Sequence, residues 1–168
     1  MLSKLIILVL LSWVPVFELR WSIPIGLFSG TISGVPFFGS LEGFALPFLL
    51  VFFVCVGANA VLGFFAYFFF DKIIHFFLLV PFLNNFYKKL VVRSQKRAKP
   101  LVDKYGLIGM AVFIAIPLPG SGTWTGALVG NLLNFGYKRF FLANLIGVFI
   151  AGILVSIFFA GAFSLLGI

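Results

Sequence analysis

"AVFIAIPLPGSGTWTGALVG", residues 111–130, decides how this chain is read. An apolar run with the composition of a membrane segment meets Pro117, Pro119, Gly120 and Gly122, then turns apolar again. Proline removes a backbone donor and clashes with the preceding turn, while glycine leaves the helical region at little steric cost. The two limbs, 107–116 and 124–133, are each shorter than the roughly 20 helical residues needed to cross a hydrocarbon core. The stretch is therefore read as a re-entrant hairpin that enters and leaves on one face. Irregular backbone at membrane depth is tolerated only where protein or water covers it.

A second broken run lies near the start. Residues 5–17 are apolar, Glu18 and Arg20 interrupt them, and 21–35 are apolar again. Two other runs, 46–70 and 140–168, carry no Asp, Glu, Lys or Arg and are long enough to span. Each half thus reads as a hairpin followed by a transmembrane helix. Gly26 and Gly30 stand 100 residues before Gly126 and Gly130. An odd number of crossings separates the halves, so they are expected to be inverted relative to each other, as in transporter repeats. The expected fold is an all-α integral membrane protein: an inverted repeat of re-entrant hairpin plus transmembrane helix, with a central interfacial amphipathic helix. It forms one membrane domain, 1–168, with a first repeat over 1–70, a basic connector over 71–105 and a second repeat over 106–168.

Composition agrees. The chain is 62% hydrophobic and 10% charged, whereas soluble domains sit near half and a quarter. Its cations are clustered: Lys88, Lys89, Arg93, Lys96, Arg97, Lys99 and Lys104 fall in one window, opposed by Asp103. Between apolar spans, such a cluster reads as the positive-inside signal with membrane lipids, especially anionic headgroups, as neighbours. No nucleic-acid partner is expected. A re-entrant 107–133 puts Lys138 and Arg139 on the same, inner side, while 31–45, with no Lys or Arg, lies outside. That implies a multi-pass protein of the inner (cytoplasmic) membrane. Leu83, Phe86, Tyr87, Leu90 and Val91 recur at helical spacing among the cations and predict the interfacial helix. Lys4 and the apolar residues after it imitate a signal peptide, but no small-x-small site follows, so the segment is read as retained, with Lys4 outside.

Chemistry is concentrated in few residues. With four acids, one His and one Cys, no metal set, nucleophile–base pair or phosphate loop can be assembled. No enzyme activity and no cofactor are expected. Cys55 can form no intrachain disulfide. Glu18 and Arg20 flank the first break, where a charge costs at least ~2.5–3.5 kcal/mol unless paired or wet. They are the candidate ion and substrate groups, with Pro24 and Gly26 in the limb that follows. At the second break Pro117, Pro119, Gly120 and Gly122 free backbone amides. Ser121, Thr123 and Thr125 add hydroxyls there, and Trp124 is placed to line a cavity. Gly26, Gly30 and Gly34, like Gly126 and Gly130, recur every four residues and read as close-packing faces. Asn59 and Asn144 lie within the spans and are expected to bond across helices, and Asn144 is counted with the pathway residues.

"FELRWSIPIG" (17–26), "PLPGSGTWTGALVGN" (117–131) and "GYKRFFLANLIG" (136–147) together resemble the small multidrug export protein family and, more broadly, DedA or VTT-type membrane proteins. The resemblance implies inverted repeats of re-entrant hairpin plus transmembrane helix. It also implies either proton-linked transport or movement of phospholipids and polyprenyl phosphates between leaflets. DedA proteins carry arginines around the second Pro-Gly, whereas here Ile116 and Gly122 flank Pro119 and Gly120, so no phosphate clamp is expected at that tip. The functional expectation is a proton-coupled carrier of a small or lipid-like anionic substrate. A phospholipid or polyprenyl-phosphate flippase or scramblase, and a non-transporting assembly protein, are the alternatives. The hairpin tips are expected to meet near the midplane, and a homodimer is expected because so few helices barely enclose a cavity.

Overall fold

A computed structural model describes residues 1–15, 17–35, 39–79, 96, 98–116 and 121–166. The helices are α1 (Leu2–Trp13), α2 (Glu18–Leu27), α3 (Phe48–Leu79), α4 (Leu107–Ala115), α5 (Thr123–Leu132) and α6 (Tyr137–Leu166). A two-stranded ribbon of β1 (Thr31–Val35) and β2 (Gly39–Glu42) follows α2, and residues 98–105 are also helical. Local sequence explains the breaks. Val14 precedes Pro15, which disfavours the helical region, and Val14 is extended. Gly106, Gly122 and Gly136 precede α4, α5 and α6 with φ of +56°, +108° and +81°, conformations that L side chains rarely adopt.

The membrane class holds. Phe48–Lys72 and Tyr137–Ala160 are long and apolar enough to cross a bilayer. Each presents two apolar faces with different surroundings. On α6, Phe140, Ala143, Gly147, Val148, Ala151 and Val155 are buried. Leu142, Ile146, Phe149, Ile153 and Ile157, on its other face, are exposed. An apolar face left open on a helix that is apolar all round suits lipid.

The chain divides into two compact units, Met1–Asn59 with Ile150–Ile168, and Ala60–Phe149. Within the first, α1 and α2 form a hairpin: a Cβ added at Gly26 would stand 2.5 Å from Val51 and 3.2 Å from Leu8. Within the second, α4 and α5 form another: a Cβ at Gly126 would stand 2.6 Å from Ile114. Gly26 and Gly126, the paired glycines of the two halves, are thus both contact points between a hairpin's limbs. All four limbs have 12 residues or fewer, short of a crossing.

Three expectations change. The first hairpin's second limb does not continue to residue 35, because α2 ends at Leu27 and Phe28 is extended. Gly30 and Gly34 are accordingly not part of a helical packing face. Gly30 has φ +139°, and Gly34 is the extra residue where the register slips between Ser33 and Val35, as at a β-bulge. The ribbon pairs Thr31 with Glu42, Ile32 with Leu41 and Ser33 with Ser40, so extended backbone joins an otherwise helical fold. The amphipathic pattern at 83–91, and Lys88, Lys89, Arg93 and Arg97, lie outside the described residues.

Candidate functional site

The first hairpin holds the charged chemistry. The Phe17 and Glu18 amides both donate to the Val14 carbonyl, at 3.0 and 3.1 Å, closing a tight turn between α1 and α2. That turn puts Glu18 at φ +41°, a left-handed conformation that costs a non-glycine residue on the order of 1 kcal/mol and that clusters at functional sites. Glu18 is only 6% exposed and stands in the first turn of α2, where the helix dipole favours a negative charge. Arg20, half-buried, interacts electrostatically with it. Burial of an acid and a base within three residues meets the requirement that membrane charges be partnered.

Beneath this tip lies a polar cluster. Ser12 and Ser22 are completely buried, one on each limb. The Ser12 hydroxyl donates to the Leu8 carbonyl at 2.8 Å, and that of Ser22 to the Glu18 carbonyl at 2.7 Å. The Cys55 thiol on α3 is buried beside them. One turn further along α3, Asn59 donates from Nδ2 to the Ser12 carbonyl at 3.1 Å, and Trp13 returns a bond from Nε1 to the Ala58 carbonyl at 3.0 Å. Pro24 and Gly26 are buried in α2. Sequence reasoning placed Asn59 as an interhelical bond but did not bring Ser12, Ser22 and Cys55 to the site. The available signal was positional: Cys55 and Asn59 are four apart and share a helix face, while Ser12 and Ser22 flank the charged break.

The second hairpin is neutral among the described residues, and Pro117, Pro119 and Gly120 lie outside them. The Ser121 hydroxyl donates to the Ile116 carbonyl across the break, and that of Thr125 to the Gly122 carbonyl at 3.4 Å. Thr123 is buried. Trp124 meets Phe69 and Phe70 of α3 edge-on, with ring centroids 6.2 and 6.0 Å apart. Elsewhere in this unit Asn144 is fully buried on α6 and donates from Nδ2 to the Ala60 carbonyl at 3.2 Å. Its Oδ1 is buried and finds no donor among the described residues. The structure therefore gathers Glu18, Arg20, Pro24 and Gly26 in one unit. It places Ser121, Gly122, Thr123, Trp124, Thr125 and Asn144 in the other.

Two helices long and apolar enough to cross a bilayer suit a membrane protein. Residues 18–154 match the family described as "Putative small multi-drug export protein"; the chain belongs to that family, whose description supports a membrane transporter-like role. No curated protein and no solved structure matches it.

Proposed function

We propose that this protein is a proton-coupled carrier of a small or lipid-like anionic substrate, with Glu18 exchanging the proton. Arg20 neutralises Glu18 in one state. Once Glu18 is protonated, the guanidinium is released to an anionic group of the substrate, for which its planar fork is suited. The observation that carries the reading is the buried Glu18 on left-handed backbone, electrostatically coupled to Arg20. A purely structural turn would hold a neutral residue there at lower cost.

The same reading takes the two hairpins as re-entrant members of an inverted repeat, in a multi-pass protein of the cytoplasmic membrane. Ten of the twelve Lys and Arg residues fall in the unit Ala60–Phe149; the other two are Lys4 and Arg20. Lys72, Lys96, Lys99, Lys104, Lys138 and Arg139 are exposed, which supports an inner location for 71–105 and 138–139 next to anionic headgroups. Lys4 is engaged locally: its ammonium donates to the Phe44 carbonyl at 3.1 Å and lies 5.5 Å from the centre of that ring. An outer Lys4 therefore opposes the charge rule less than a free cation would. The bare apolar faces of α3 and α6 leave room for a second copy, and we take a homodimer as the working assembly.

The test is proton entry and lipid movement in phosphatidylglycerol vesicles, with an entrapped pH dye and a fluorescently labelled phosphatidylglycerol. Glu18→Gln should abolish proton entry, and Arg20→Lys should impair it. If both variants match the parent, the mechanism is wrong. Lipid movement that persists in Glu18→Gln without proton entry would favour a scramblase.

A further inference from the structure

We propose that Asn59 is a positioning residue for the Glu18–Arg20 tip, acting through the end of α1. The proposal rests on the reading of Glu18 given above, and its geometry lies within one compact unit. The bonds Asn59 Nδ2 to Ser12 carbonyl and Trp13 Nε1 to Ala58 carbonyl run in opposite directions between the same two segments. Neither segment can slide or rotate on the other without breaking one of them. The Ser12 carbonyl belongs to the last turn of α1, whose final carbonyls have no partner within the helix, so Asn59 supplies what the helix end lacks.

From this anchor to the tip the backbone has little freedom. Val14 follows Trp13 directly, and its carbonyl receives the amides of both Phe17 and Glu18. On the far side the Ser22 hydroxyl holds the Glu18 carbonyl. Cys55, four residues before Asn59 on the same face of α3, is fully buried. Release at Asn59 frees the outgoing limb, and the tip that holds Glu18 at φ +41° loses its fixed support.

Cys55 is the chain's single cysteine and is fully buried, so its labelling by N-ethylmaleimide reports separation of the hairpin from α3 without any substrate. Asn59→Asp keeps the shape but replaces the amide donor with a carboxyl. At low pH the protonated carboxyl can donate to the Ser12 carbonyl; at higher pH the carboxylate repels it. Full-length protein in phosphatidylglycerol vesicles should therefore label at the parent's rate at low pH. At high pH it should label faster than the parent measured at that pH, by about threefold or more, the factor for one typical interhelical bond. Trp13→Phe, which loses the Nε1 donor along with part of the ring, should label faster at every pH. Glu18-dependent proton entry in Asn59→Asp should follow the same reversal with pH. Labelling of both variants at the parent's rate, or an Asn59→Asp increase with no pH dependence, overturns the proposal. Parent-like proton entry in Glu18→Gln, with pH-reversible labelling intact, overturns the carrier mechanism and leaves the positioning role standing.

Discussion

The side-chain amide of Asn144 occupies the space that Gly63 leaves empty: a Cβ added at Gly63 would stand 2.1 Å from Asn144 Nδ2 and 2.5 Å from its Cγ. Both residues are buried, so the amide has no solvent into which it can retreat. Gly63→Ala should force Asn144 off the Ala60 carbonyl and cost about 1–3 kcal/mol by overpacking. Asn144→Ala removes a bond of ordinary membrane strength but also a buried oxygen without a donor among the described residues, so it should cost about 1 kcal/mol or less. In the Asn144→Ala background, Gly63→Ala should become nearly neutral. Unfolding of the four proteins in mixed micelles measures the coupling, and additive costs would show that the two residues do not interlock.

Gly109 gives a sharper steric prediction because its neighbour is backbone. A Cβ there would lie 1.9 Å from the Leu101 carbonyl oxygen, whereas one at Gly57 would meet nothing within 4 Å. Gly109→Ala must push the 98–105 helix away from α4, at about 1–3 kcal/mol. Gly57→Ala, within α3, should be neutral or slightly stabilising, since alanine is the better helix former. Thermal melts of the two variants should separate clearly, and equal melting temperatures would contradict this packing.

At Gly106 the constraint is conformational alone. Its φ is +56° and a Cβ would meet nothing within 4 Å. With ψ at −122°, this conformation lies outside the left-handed helical region that asparagine tolerates, so any side chain is strained there. Gly106→Ala and Gly106→Asn should each cost about 1–3 kcal/mol. Both variants melting below the parent is the expected result, and a parent-like melting temperature for either would contradict this backbone.

The carrier mechanism predicts unequal effects at two neighbouring residues. Glu18→Gln keeps the shape and removes the titrating group, so proton entry should fall to the level of empty vesicles. Arg20→Lys keeps the charge and loses the planar fork, and should slow entry about tenfold, the factor for one lost charged hydrogen bond. Rates measured under one imposed pH gradient decide it.

Lys96, Lys99 and Lys104 are exposed and are predicted to meet anionic headgroups. Phosphatidylglycerol should protect the parent protein against heat more than phosphatidylcholine does. Replacing the three by glutamine should remove most of that difference, at about 1 kcal/mol per cation. Salt should weaken the parent's protection and leave the variant's unchanged. Equal protection by both lipids would argue against this face meeting headgroups.

Much of the architecture is legible in the residues themselves. Pro15 and the glycines at 106, 122 and 136 mark helix breaks by their own backbone limits, whatever surrounds them. The two uncharged runs announce spans because length and apolarity are properties of the chain. The pairing of Gly26 with Gly126 is likewise visible, and both are contact points. The same four-residue spacing failed at Gly30 and Gly34, because glycine permits the ribbon as readily as a helix and nothing local selects between them.

What only tertiary structure decided is which polar groups meet. Ser12, Ser22 and Cys55 are unremarkable in sequence; Asn59 announces an interhelical bond but not its partner, and the spacing of the four names no ligand or reaction. Folding the first hairpin on itself and laying it on α3 brings them together under Glu18, out of reach of water. In an apolar environment each hydroxyl, amide and carbonyl must find a protein partner, so the packing of the limbs, which depends on contacts 47 residues apart for Asn59 and Ser12, chooses those partners. Composition and backbone limits act locally and can be read along the chain; hydrogen-bond satisfaction in a membrane is a property of the folded assembly.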